Sequence, residues 1–235
     1  MNSPTLVPGL PCREGRSIHA LAVVGTSGRS GDGVRVDRAL YARMAEALRA
    51  LLVQAGPVDW LVAGGDPVAG HLAVGFFLRG IVPGLSLHLP TNFSVLASCF
   101  VEPYAKSTGS IANYWHREFS RRCGGNSLAG VGHAIMKSGC VRRTYLGFEE
   151  RSAGISAEAD AVVALTFGDG ADAIGSETRL VLEQCLRRGI PSWHVSLPSC
   201  QIFAPAHVAD GQLGKTTSAS LGHGGSFTQP CSIAA

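Results

Sequence analysis

Three stretches of this chain carry residue types that can hold an anion. In each, glycines follow an apolar run of strand length and precede a helical pattern. The latest and best defined lies in Ala159–Pro191, where the run Ala161–Phe167 leads into Gly168, Gly170 and Gly175 and then Ser176-Glu177-Thr178. A glycine loop between a strand and a helix lets backbone amides approach a ligand, and the helix N-terminus favours negative charge. The hydroxyls of Ser176 and Thr178 could donate to a phosphate there. Ser176 could equally cap the helix, and Glu177 could serve only to offset the macrodipole. As a catalytic group, the Glu177 carboxylate would act on a water or on developing positive charge. The first stretch holds Gly25, Thr26, Ser27, Gly28 and Arg29, and the second holds Gly64, Gly65 and Asp66. Arg29, and Arg151 just ahead of the late strand, are candidate bidentate clamps for a phosphate.

The elements that must position these loops follow from periodicity. Largely apolar runs at Ile18–Val24, Asp59–Ala63, Leu85–Leu89, Ala161–Phe167 and Ser192–Leu197, and the alternating segment Val141–Leu146, read as strands. Between them, helical spacing appears at Val36–Ala55, Leu72–Arg79, Ser110–Arg122, Ser127–Ser138 and Ser176–Arg188, with a short helix or turn in Gly147–Ala159. Strands alternating with helices predict an α/β fold: a Rossmann-like, doubly wound, mostly parallel sheet in a single domain spanning 18–205, with a helical insert over about 90–146. Residues 1–17, rich in Pro, Gly and Ser, read as a flexible arm. Residues 206–235 read as a low-complexity tail.

Composition narrows the function classes. Hydrophobic residues make up 46% and charged residues 16%, which fits a globular chain and not a disordered one. A formal net charge of +3 is too small for a nucleic-acid-coating surface. No apolar stretch approaches the roughly 20 residues needed to span a bilayer, and no basic patch with an apolar h-region opens the chain. A cytoplasmic protein without a membrane partner is therefore expected. The 7 cysteines form no C-x-x-C pair and read as free thiols. Scattered His and Cys lack metal-ligand spacing, so no metal and no cofactor are expected. Gly214-Lys215-Thr216-Thr217 mimics the end of a P-loop, but position 209 is alanine where the first glycine belongs. The first loop runs Gly25, Gly28, Gly31, Gly33, which is not the G-x-G-x-x-G dinucleotide fingerprint.

Taken in order, Val24-Gly25-Thr26-Ser27-Gly28-Arg29, then Val62-Ala63-Gly64-Gly65-Asp66, then Ala159-Asp160 and Gly175-Ser176-Glu177-Thr178 resemble blocks of the SLOG superfamily. This Rossmann-like group contains the LOG phosphoribohydrolases and the DprA-type proteins. Arg151-Ser152 stands where an Arg-Asn pair would be, and the resemblance covers roughly residues 18–197. It implies a site for a nucleotide or a nucleotide-derived small molecule, built from the three loops. It implies homodimerisation too, because the family's sites are often completed by a neighbour. For the hydrolases of the group it implies N-glycosidase chemistry on a nucleoside monophosphate, with Glu177 acting on an oxocarbenium-like ribose and Arg29 or Arg151 on the phosphate. Those hydrolases place two acids after the loop threonine, whereas this chain has Glu177 directly after Ser176. That difference keeps two other readings open: a non-catalytic nucleotide sensor or sequestering module, and a structural or assembly protein that retains the fold.

Overall fold

The runs at Ile18–Val24, Asp59–Ala63, Leu85–Leu89 and Ala161–Phe167 form strands buried on both faces, as a parallel sheet covered by helices on either side requires, whereas the strand at Cys140–Thr144 is largely exposed. The computed structural model of the chain describes residues 18–27, 32–167 and 176–203. In chain order these form β1 (Ala20–Gly25), α1 (Asp32–Arg35), α2 (Arg38–Ala55), β2 (Trp60–Ala63), α3 (Ala69–Leu78), β3 (Gly84–Leu89), β4 (Phe93–Ser94), β5 (Cys99–Phe100), α4 (Thr108–Cys123), α5 (Ser127–Met136), β6 (Cys140–Thr144), α6 (Phe148–Glu158), β7 (Ala161–Phe167), α7 (Ser176–Arg187), β8 (Ser192–Leu197) and β9 (Gln201–Phe203).

One sheet has the order β6-β3-β2-β1-β7-β8-β9, and β4 with β5 makes a separate hairpin. Every pairing in the large sheet is parallel except β8 with β9. The chain therefore winds outward from β1 in one direction through β2, β3 and β6, then returns to the other side of β1 as β7. This is the Rossmann-like, doubly wound α/β class that strand–helix alternation predicts. The register of β1 on β7 sets Val24 opposite Ala164 and Gly25 opposite Leu165.

Helix starts are locally encoded. The Asp37 side chain accepts from the Leu40 amide at 2.7 Å, Ser107 from Ser110 at 3.2 Å and Asn126 from Ala129 at 3.0 Å. The spacing read in the sequence for α2 is realised as a buried stripe of Leu40, Met44, Ala47, Leu48 and Leu51. One core lies on the face carrying α2 and α3, centred on Phe76, Phe77, Met44 and Leu61. On the other face Ile155 of α6 and Val181 and Cys185 of α7 pack on Ala22, Val162 and Ala164.

The span from 90 to 139 is the crossover between two parallel neighbours, β3 and β6. It holds the hairpin, α4 and α5. Two differences from the sequence reading are local. The helix expected to begin at Leu72 begins at Ala69, because the second glycine loop turns directly into it. The antiparallel β9 adds an edge strand beyond Pro198. Among the described residues, no helix is long and apolar enough to cross a membrane, and Cys99, Cys123, Cys140, Cys185 and Cys200 are free thiols. The arm at 1–17 and the tail at 206–235 lie outside the described residues.

Candidate functional site

In an open α/β sheet the crevice forms where neighbouring strands lead their connections to opposite faces, here beyond the carboxyl ends of β1 and β7. Gly25 sits at that point. A Cβ on it would lie 2.1 Å from the Leu165 carbonyl oxygen, so only glycine lets β1 meet β7 this closely. The Thr26 amide continues the contact by donating to Leu165 O at 2.9 Å. From the other side, the Thr178 hydroxyl donates to Gly25 O at 3.1 Å, which ties the first turn of α7 to the end of β1. The Thr26 hydroxyl donates to the Asp32 carboxylate at 3.1 Å.

The second loop is held from below and behind. Gly65 has φ +64°, and a Cβ there would meet Leu89 Cδ2 at 2.6 Å. His116 Nε2 is 2.9 Å from Gly65 O and Nδ1 is 3.0 Å from the Ser127 hydroxyl. A carbonyl only accepts, so the imidazole carries its proton on Nε2 and accepts at Nδ1. Burial pushes His116 down to about 3, so the ring stays neutral. His71 has a similar structural setting. It lies between Tyr41 and Phe119, and burial lowers it to about 4. Asp66 caps α3: its Oδ1 accepts from the Gly70 amide at 3.0 Å and the Val68 amide at 3.3 Å. A Cβ on Gly70 would lie 2.6 Å from Asp66 Oδ2.

Arg151 links the second loop to the third. It projects from the first turn of α6 into the crevice and is buried. Its guanidinium lies against the Gly64 peptide, where a Cβ would be 3.1 Å from Cζ. One terminal nitrogen donates to Gly64 O at 3.3 Å, and the other donates to Glu177 Oε2 at 2.8 Å. The Phe148 ring lies 5.2 Å from the cation. Burial raises the Asp66 carboxyl above its usual range. Arg151 and the two capping amides oppose that rise, and Glu177 adds to it. Asp66 and Glu177 thus feel each other across the same cation.

Around this centre two hollows share walls. A polar groove is lined by Gly25, Ser27, Gly64, Asp66, Glu177 and Thr178. A shallow apolar slot is walled by Pro67, Pro90, Phe100, Trp115 and Phe148. Ser27, Asp66 and Arg151 line both. The two hollows therefore meet at Asp66 and Arg151, one with charged and hydroxyl groups on its wall and the other with aromatic and proline side chains.

Of the residues that the sequence singles out, Gly25, Thr26, Ser27, Gly64, Gly65, Asp66, Arg151, Glu177 and Thr178 gather at this one sheet edge. Thr26 turns its hydroxyl to Asp32 and takes no part in lining the groove. Gly28, Arg29, Gly168, Gly170 and Gly175 lie outside the described residues, and Ser176 is described only as the start of α7. Trp115 and Phe148 were not singled out as site residues. Trp115 reads in sequence as one member of an apolar helix face, and Phe148 as a residue of a short helix or turn. Arg35 was missed as well. Its guanidinium rests 3.9 Å over the Phe167 ring at the carboxyl end of β7. Among the described residues, no three His, Cys, Asp or Glu side chains gather as a metal site.

Comparison with known proteins finds no matching family model. An uncharacterized protein of Acanthamoeba polyphaga mimivirus is 33% identical over 154 residues, which take in 63% of this chain and 82% of the viral one.

Proposed function

The chain belongs to the same family as that mimivirus protein, and we propose that it binds a nucleoside 5′-monophosphate or a close nucleotide derivative in the crevice at β1 and β7. One observation carries the reading: a buried arginine is laid on a glycine peptide at the topological switch point, between a polar groove and an aromatic slot. A guanidinium so placed is preorganised for a phosphate or ribose oxygen, and the slot is suited to stacking a base. The order of the sequence blocks that resembles the SLOG superfamily supports the same ligand class.

The reaction the groove favours is hydrolysis of the N-glycosidic bond. Glu177, oriented by Arg151 at 2.8 Å, faces the groove as an anion that opposes positive charge at the ribose C1′ and orients the attacking water. The water oxygen bonds to C1′, the C1′–N bond breaks with its electron pair on the base, and ribose 5-phosphate and free base are the products. A binding-only reading has its own observation: Arg151 already spends one face on Glu177, so a ligand phosphate must compete for it. The two readings separate on a panel of nucleoside 5′-monophosphates, with calorimetry for binding and chromatography for released base. Turnover that Glu177→Gln abolishes while affinity holds supports the hydrolase. Binding without base release from any nucleotide supports the sensor. No binding by any member refutes both.

A further inference from the structure

The hydrolase reading leaves the leaving base without a proton donor, and the resembling hydrolases place their second acid close after the first. We propose that Asp66, from the opposite loop, is the general acid that protonates the departing base; this rests on the nucleotide-hydrolase reading above.

Asp66 lines both the polar groove and the aromatic slot, with Arg151 and Ser27 beside it. A nucleotide with its sugar in the groove and its base in the slot must pass its glycosidic bond through that shared wall. Glu177 lines the groove and is not among the residues of the slot, so the two carboxylates stand on the ribose side and the base side of the bond. Asp66 Oδ1 takes both capping amides, Gly70 at 3.0 Å and Val68 at 3.3 Å, which leaves Oδ2 to carry the proton. The glycine at 70 leaves room for that oxygen, since a Cβ would lie 2.6 Å from it. Desolvation of the carboxyl outweighs the opposing Arg151 and capping amides and favours the protonated form, as a general acid requires. The charged and titratable groups that face it are Arg151 from α6, Glu177 from α7, the neutral His116 from α4, and Tyr41 from α2, whose phenol burial pushes well above its ordinary range. In the step, the Oδ2 proton passes to a ring nitrogen of the base as the C1′–N bond breaks. The attacking water's proton passes to Glu177, and solvent exchange resets both carboxyls.

Two substrates test it. One is an ordinary nucleoside 5′-monophosphate that the wild-type protein hydrolyses. The other is 7-methylguanosine 5′-monophosphate, whose base is already cationic and leaves without a proton. Asp66→Asn keeps an acceptor for both capping amides. It is expected to lose about 10²- to 10⁴-fold in kcat on the ordinary substrate, with unchanged affinity and less than about fivefold loss on the methylated one. Equal loss on both substrates, or loss on neither, overturns the assignment. The wild-type protein gives a second readout that needs no variant. Its rate on the ordinary substrate should fall as rising pH ionises Asp66, and its rate on the methylated one should not over the pH range in which that base keeps its N1 proton; parallel profiles over that range overturn the proposal. Absence of base release by wild-type protein from either substrate refutes the hydrolase reading itself, and the Asp66 role falls with it.

Discussion

Replacing Arg151 by methionine keeps an apolar stem of similar girth and removes the charged head. The side chain is 8% exposed and that of Glu177 is 29% exposed, so the pair is only partly hydrated. The bond to Glu177 at 2.8 Å is charge-assisted, and such bonds contribute a net roughly 1.5–3 kcal/mol. The longer bond to Gly64 O at 3.3 Å adds about 0.5 kcal/mol. Partial rehydration of Glu177 keeps the sum in its lower half, so Arg151→Met should cost about 2–3 kcal/mol. For a domain of this size that lowers Tm by roughly 4–12 °C. A double-mutant cycle with Glu177→Gln should give a coupling of about 1–2 kcal/mol, read from urea unfolding. Arg179 and Glu183 supply the control. They sit at 3.0 Å, close to the same distance, but are 59% and 53% exposed, and such pairs couple by about 0.3–0.5 kcal/mol. If the Arg151–Glu177 coupling is no larger than the control, the buried pair does not organise the crevice and the reasoning fails.

Two further outcomes follow from the same geometry. Burial holds His71 and His88 at about 4 and His116 at about 3, all below the unfolded value near 6.5. The unfolded chain therefore binds more protons between those limits. The stability these neutral rings contribute is fully present above pH 6.5 and is lost as pH falls toward 4. The slope should approach about 4 kcal/mol per pH unit near pH 5, at about 1.4 per proton, and His116→Gln should flatten it in denaturant titrations at stepped pH. A slope unchanged by His116→Gln refutes the buried neutral tautomer. At the slot, Trp115→Ala should weaken nucleotide binding by about 1–3 kcal/mol through lost stacking, measured by calorimetry at constant salt. An unaltered Kd would place the base elsewhere.

The sequence by itself determined the elements. A seven-residue, almost wholly apolar run such as Ala161–Phe167, short for a helix and rich in β-branched residues, reads as a strand covered on both faces. The stripe of Leu40, Met44, Leu48 and Leu51 can only be a helix on a core, and glycines after each run mark where the backbone must turn tightly. These signals are local, carried by residues two to four apart, and they sufficed for the α/β class and for which loops hold polar groups. β9 and the β4–β5 hairpin escaped because elements of two or three residues show no period. What only the tertiary structure decided is who faces whom. Nothing in the spacing says that β7 returns beside β1, yet that pairing makes the crevice and demands a glycine at 25. In sequence Glu177 stands without a second acid and Arg151 reads as a phosphate clamp. In the fold Arg151 lies against Gly64, 87 residues away, bonds Glu177, and brings Asp66 into the same field. Such contacts follow from strand order and from close packing against glycine backbones, which the whole sheet sets and no short window of sequence contains.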